Sequence, residues 1–306
     1  MKVIENWFRT SDGKDIFYNE FLPDNIDDVK FVVQIFHGMA EHSERYTHFA
    51  EFLCNHGAAV YASDHRGHGK NCLRPGEYGV WAKKGIWFTI VDDLKILNDI
   101  TAKKFPDKPN FILGHSMGSF LARSFITKYS RGLNGVILSG TGTNSNFILN
   151  IAKAIAWKQC NFRSPAKPAK LLDKLSFSSF NKPYDKPYQW LTRDQKIIDE
   201  YIDDPYCGGV FSSSFYYNFF AGLLHVNQLN KAKKIAKDLP LLFISGDKDP
   251  VGNYGKGVEQ AVEFYKKARL SNVDLKLYPE ARHEILNEIN KEEVYTDILN
   301  WITKHL

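Results

Sequence analysis

The sequence predicts an α/β fold: one mostly parallel sheet with helices on both faces and a helical insertion. Three observations carry this. Short, nearly continuous apolar runs recur along the chain: FVVQIF (31–36), AVYAS (59–63), FILG (111–114), GVILSG (135–140) and LPLLFISG (239–246). Such runs suit strands covered on both faces. Between them apolar residues return at helical spacing, as with Val91, Leu94, Leu97 and Ile100. Strand and helix therefore alternate, and that alternation builds parallel βαβ units.

The elements follow in order. VIENWFR (3–9) and DIFYNEFL (15–22) flank a Ser-Asp-Gly turn and read as an antiparallel hairpin. After the strand at 31–36 comes a helix over about 46–56, closed by Gly57, then the strand at 59–63 and a helix over 86–104. A further helix lies between the strands at 111–114 and 135–140. The pattern stops after Thr143 and resumes near Leu239 with a strand to Gly246, a helix over 255–269, VDLKLYP (273–279) as a strand and a last helix over 291–305. The stretch 143–230 has no clear buried strand; Pro165, Pro168, Pro183, Pro187 and Pro205 divide it into helices. It is expected to be a helical cap inserted into a core made of 1–142 and 231–306. No internal repeat or low-complexity linker interrupts it.

Composition narrows the function. The 306 residues are 43% hydrophobic and 25% charged, too apolar for a disordered chain. The 40 Lys+Arg against 35 Asp+Glu leave a net charge of +5, and the surplus is local. Residues 151–190 hold eight basic and two acidic side chains, while the rest of the chain holds 32 and 33. A nucleic-acid partner is not expected, because the remainder is neutral and offers no basic face. Lys153, Lys158, Arg163, Lys167 and Lys170, interleaved with Ile155 and Trp157, either form a solvated helix face or let the cap rest on anionic lipid. The N-terminal MKVIENWFRTSDGK lacks the apolar stretch of a secretion signal, and no run of 18 apolar residues occurs. Cys54, Cys72, Cys160 and Cys207 form no CxxC pair and show no metal-ligand spacing with histidine. A cytoplasmic protein without metal or cofactor is expected.

The chemistry begins at Gly114-His115-Ser116-Met117-Gly118, a G-x-S-x-G directly after the strand FIL and directly before a helix. A serine on a tight strand-to-helix turn takes a strained backbone conformation that lifts its hydroxyl clear of the sheet. Ser116 is the candidate nucleophile. The Met117 amide then lies at a helix N-terminus, where it can donate to a developing oxyanion. A serine hydroxyl needs a base, itself oriented by a carboxylate. LPLLFISG runs into Asp247-Lys248-Asp249-Pro250, two candidate acids between which local reasoning barely distinguishes. VDLKLYP runs into Glu280-Ala281-Arg282-His283, which offers His283 as the base; the other downstream histidine, His305, stands on the terminal helix. Both sets follow strands, where open α/β sheets place their sites. The loop His37-Gly38-Met39-Ala40-Glu41-His42 can supply a second oxyanion donor from the Met39 or Ala40 amide. His37, His42, His65 and His68 are expected to hold loops rather than metal, and the Gly-rich DHRGHG has neither G-x-G-x-x-G nor a Walker lysine.

These segments resemble the α/β-hydrolase superfamily, within it the monoacylglycerol lipase and lysophospholipase group. The matching stretches are HGMAEHSERY (37–46), DHRGHGKN (64–71), GHSMGS (114–119), SGDKDPV (245–251) and YPEARHEILNE (278–288), in the family's order. The resemblance implies Ser116 as nucleophile, Asp249 rather than Asp247 as acid, His283 as base, and the Met39 and Met117 amides as oxyanion hole. It departs from typical monoacylglycerol lipases at Met39, where small residues are usual, and in the cap, which looks more like that of bacterial proteins labelled lysophospholipases.

The resemblance implies a serine hydrolase of carboxylic esters, lipid-like ones such as monoacylglycerol or lysophospholipid. Residues 143–225 hold 16 aromatics in 83 positions, about 1.6 times the density elsewhere, which suits either an acyl tunnel or simple packing of the cap. A peptidase of the proline iminopeptidase kind shares fold and triad; it would need a cap carboxylate for the substrate amine, with Glu200, Asp203 and Asp204 as candidates. A non-catalytic ligand-binding protein on this fold is the third reading, disfavoured by an intact nucleophile, base and acid.

Overall fold

The computed structural model describes residues 1–72, 77–81, 84–176 and 178–306. Among the described residues eight strands form one sheet: β1 (Lys2–Arg9), β2 (Asp15–Leu22), β3 (Phe31–Phe36), β4 (Ala58–Ser63), β5 (Asn110–His115), β6 (Gly135–Ser139), β7 (Leu241–Gly246) and β8 (Val273–Tyr278). Their spatial order is β1-β2-β4-β3-β5-β6-β7-β8. The β1–β2 hairpin joins antiparallel through β2 and β4, and every pair from β4 to β8 is parallel. This is the expected α/β-hydrolase fold.

The central strands are apolar on both faces because each face meets helices. Ile112, Val136, Leu138, Leu241 and Phe243 pack on one side with helices α2 (Ile86–Lys104), α3 (Met117–Tyr129) and α9 (Lys256–Lys267). Their neighbours Phe111, Leu113, Ile137, Leu242 and Ile244 face the other way onto α1 (Thr47–Asn55) and α10 (Lys291–Thr303). The period of two along each strand separates the two cores.

Between β6 and β7 the chain leaves the sheet as α4 (Asn146–Phe162), α5 (Lys170–Ser176), α6 (Gln195–Asp203), α7 (Ser213–Val226) and α8 (Leu229–Ala232). Helix α7 roots this segment: Phe215, Phe219 and Phe220 are buried in the same cluster as Trp81, Trp87 and Phe120. Gly222 permits the approach, since a Cβ there would stand 2.2 Å from the Trp87 ring. The densest aromatic cluster of the sequence is thus packing between this segment and the sheet helices.

Gly118 fixes where α3 meets the sheet. A Cβ on it would lie 1.9 Å from the Phe36 carbonyl oxygen, a backbone atom that cannot yield locally. Gly118→Ala is expected to cost about 3 kcal/mol or more by overpacking. The thermal midpoint, followed by far-UV circular dichroism, then falls by at least ~5 °C. An unchanged midpoint would show that the β3–α3 contact tolerates a side chain.

Candidate active site

The parallel strands all end at one edge, and the loops leaving that edge carry the candidate residues. Ser116 stands between β5 and α3, at the cap of the helix, with φ 50° and ψ −119°, a conformation L-residues rarely adopt. Its amide donates to the Ser139 carbonyl at 2.9 Å, tying the turn to the end of β6. The strain, paid for by the surrounding packing, turns the side chain out to line a cavity of about 250 Å³.

His283 lines the same cavity from the loop after β8. Its Nδ1 donates to Asp249 Oδ1 at 3.0 Å, which leaves Nε2 as the free ring nitrogen. Asp249 follows β7 and is fully buried; Ser245 Oγ donates to its Oδ2 and the Val251 amide to its Oδ1, each at 2.8 Å. Burial alone would raise the Asp249 carboxyl, but the facing His283 and these donors overcome it and hold it below the usual carboxylate range. For His283 burial acts downward and is outweighed by the Asp249 carboxylate, so its pKa stands above the ordinary 6.5. Asp247 does different work: its carboxylate accepts the Glu280 amide at 2.8 Å, holding the turn after β8.

Met39 lines the cavity, and among the described residues its amide has no acceptor. Met117 is the first residue of α3, with its amide at the helix N-terminus. The two loops are in contact: a Cβ on Gly38 would lie 3.2 Å from Ser116 Cβ. Ala40 holds φ at 61° in the same turn.

A buried charge network that local sequence patterns do not reveal steadies this loop. Glu41 Oε1 accepts the Gly38 amide at 2.5 Å and the Tyr46 hydroxyl at 2.9 Å. Arg45 joins Glu41 at 2.9 Å and makes a two-pronged bond to Glu284, at 2.8 and 2.7 Å, next in sequence to His283. One guanidinium therefore clamps the loop after β3 to the loop after β8. Burial raises Glu41; for Glu284 the Arg45 charge outweighs burial and holds it well below the usual range. The inserted segment adds backbone ties, with the Glu284 amide donating to the Leu191 carbonyl at 2.7 Å and the Trp190 ring 5.1 Å from that of His283.

His37, His42 and His65 hold loops. The His65 amide donates to His37 Nε2 at 2.8 Å, and His65 Nε2 returns a bond to the His37 carbonyl at 3.0 Å. Burial keeps His37 and His65 neutral, His65 near 3. His42 Nε2 meets Asp204 Oδ2 at 2.7 Å and so links the loop after β3 to the loop after α6. With Cys207 these two form the one grouping of possible metal ligands among the described residues. Their mutual hydrogen bond already satisfies His42 and Asp204, and burial pushes the Cys207 thiol up, away from the thiolate a metal needs.

Residues 27–290 match the family described as serine aminopeptidase, S33. The chain belongs to that family. A monoacylglycerol lipase of Mycolicibacterium smegmatis is 30% identical over 305 residues, covering 99% of this chain and 98% of that protein. The human monoglyceride lipase is 26% identical over 300 residues, 96% of this chain and 88% of the relative. Among solved structures, a highly thermostable carboxyl esterase from Bacillus coagulans, in complex with glycerol, has a TM-score of 0.90 at 29% identity and covers 100% of this chain and 99% of that one. The protein is a monoacylglycerol lipase-like α/β-hydrolase. In this hydrolase the inserted segment contributes Asp173, Asn181, Tyr188, Trp190, Leu191 and Tyr201 to the cavity wall. Glu200, Asp203 and Asp204 instead line an open depression with Gln195 and Lys196.

Proposed function

We propose that this hydrolase cleaves carboxylic esters of small to medium lipids, monoacylglycerol or lysophospholipid in kind, through an acyl-enzyme on Ser116. The enzyme class is a carboxylic ester hydrolase. The observation that carries the reading is the His283–Asp249 hydrogen bond of 3.0 Å beside a serine held at φ 50° in the same cavity. His283 Nε2 takes the Ser116 proton as Oγ attacks the ester carbonyl. The oxygen that gains charge is received by the Met39 and Met117 amides. Collapse of the adduct expels the alcohol, protonated by His283. Water, deprotonated by the same nitrogen, then releases the acid and restores Ser116.

Residues 143–230 act in this reading as a cap over a core of 1–142 and 231–306. The cavity of about 250 Å³ is smaller than the ~300–1,000 Å³ usual for drug-sized ligands, which favours short and medium acyl chains. Hydrolysis rates for esters from acetyl to palmitoyl, with monoacylglycerol, lysophosphatidylcholine and a prolyl naphthylamide included, test the assignment. Esters are expected to be cleaved and the amide left intact; the opposite order would establish the peptidase alternative. Of the acids named for that alternative, Glu200, Asp203 and Asp204, none lines the Ser116 cavity, where the inserted segment's acid among the described residues is Asp173. Four free cysteines suit a reducing cytoplasm as the place of action. Among the described residues no helix is long and apolar enough to cross a membrane.

The cap is also proposed to rest on anionic lipid. Phe147 and Phe162 are each 74% exposed at the two ends of α4, with Ile148, Trp157, Leu171 and Leu175 exposed alongside. Lys158, Arg163, Lys167 and Lys170 are exposed on the same segment. Insertion of the rings with the cations at headgroup level is the arrangement of interfacial helices. Sedimentation with phosphatidylglycerol vesicles is expected to capture the protein, to weaken in high salt, and to fall roughly tenfold for Phe147→Ser with Phe162→Ser. No capture, or capture insensitive to salt, would overturn the proposal.

A further inference from the structure

The cavity that holds Ser116 has an asymmetric charge. Among the described residues its lining includes the carboxylates Glu41, Asp173 and Glu284 and no Lys or Arg. Glu41 and Glu284 are consumed by Arg45, which bonds to both, and by the Gly38, Tyr46 and Asn287 donors. Asp173, on α5, is not consumed in this way. Tyr216 Oη donates to its Oδ1 at 3.0 Å, and no cation is paired with it among the described residues. Burial raises its carboxyl and the Tyr216 hydroxyl offsets part of that. Tyr188 lines the same cavity; burial raises its hydroxyl, and the Asp173 carboxylate adds to that. A carboxylate that shares a pocket with an aromatic ring and no compensating cation attracts a positive group and repels a phosphate.

We propose that Asp173, with Tyr188, makes the cavity select substrates by charge, taking esters that bear an ammonium group in preference to neutral ones and rejecting anionic ones. This rests on the ester-hydrolase reading and narrows its substrate class: lysophospholipids without a cationic head group become poor substrates. Asp173 is here a binding residue for the substrate's charged group, with no part in proton transfer.

The test compares butyrylcholine with neohexyl butyrate, in which carbon replaces the ammonium nitrogen at nearly the same shape. Wild-type kcat/KM is expected to favour the cation by roughly tenfold. Asp173→Asn should bring the ratio near unity and Asp173→Glu should restore it, while butyryl glycerol phosphate is the slowest substrate for the wild type. Phenyl esters of trimethylammoniobutyric acid and its all-carbon isostere repeat the comparison with the charge on the acyl side, and the pair with the larger ratio shows which end of the substrate faces Asp173. Cation-to-neutral ratios at or below unity for both wild-type pairs would overturn the proposal even if no variant folds, and so would a ratio that survives Asp173→Asn. p-Nitrophenyl butyrate run alongside separates the two failures: if the wild type does not cleave it, the ester-hydrolase reading fails; if it does, only the charge selection fails.

Discussion

Ser116→Ala is expected to lower kcat for p-nitrophenyl butyrate by about six orders of magnitude while the fold persists. The expectation follows from geometry rather than from the motif. The Ser116 side chain stands at the mouth of a turn whose strain, φ 50°, has no packing purpose that a glycine would not serve better. Alanine at this position keeps the backbone and removes the only atom the mechanism asks of it. Residual turnover of ~10³–10⁴ over water should remain, because the Met39 and Met117 amides and the cavity still bind the ester. The measurement is single-turnover kinetics beside a melting curve. A loss smaller than about tenfold would remove Ser116 from the chemistry.

Asp249→Asn is the next largest effect, a fall in kcat of about 10⁴. Asp249 Oδ1 accepts the proton of His283 Nδ1; an amide can turn its NH₂ to that nitrogen and force the proton onto Nε2, the atom that must stay bare. The same pair sets the pH profile. His283 acts as base only when neutral, so activity disappears as pH falls through its pKa. Burial lowers that pKa, the Asp249 carboxylate raises it further, and the net result lies above 6.5. The acid limb of kcat/KM in the wild type should therefore have its midpoint above 6.5, and in the residual activity of Asp249→Asn the midpoint should move down. A limb that stays in place would mean that another group controls it.

The sheet was legible because its strands obey the simplest rule: residues buried on both faces are apolar throughout. FVVQIF became β3 with the expected bounds, and the 86–104 helix likewise became α2. What the local pattern lacks is partnership. The hairpin of β1 and β2 could be read from alternation and a turn, but its docking onto β4 rests on Tyr18 facing Ser63 across 45 positions, information no local window contains. The site divides in the same way. Ser116 and His283 follow strands and are marked by position, whereas Asp247 and Asp249 follow one strand together and only the turn decides. Asp247 faces the Glu280 amide and Asp249 faces His283.

The supporting shell was hidden for a related reason. Arg45 and Glu284 pair over a separation of 239 residues, and each alone looks like an ordinary surface charge. Their bond is intelligible only once the loops after β3 and β8 lie side by side. Composition left one choice open, between an acyl tunnel and packing of the inserted segment: Phe215, Phe219 and Phe220, in its densest aromatic cluster, pack with Trp81, Trp87 and Phe120, while the cavity uses the sparser Tyr188, Trp190 and Tyr201. Density of aromatic residues reported the seam between two layers, and the ligand wall came from isolated ones.

If one serine carries the reaction, a fluorophosphonate will label that serine covalently and no other. The reagent phosphonylates a serine only where a base removes the proton and an oxyanion hole receives the charge. Peptide mapping of the labelled protein is predicted to find the adduct on Ser116 alone, at one equivalent per chain, with hydrolysis of p-nitrophenyl butyrate lost in step. Absence of an adduct on Ser116, or full ester hydrolysis after Ser116 is blocked, would show that Ser116 is not the nucleophile.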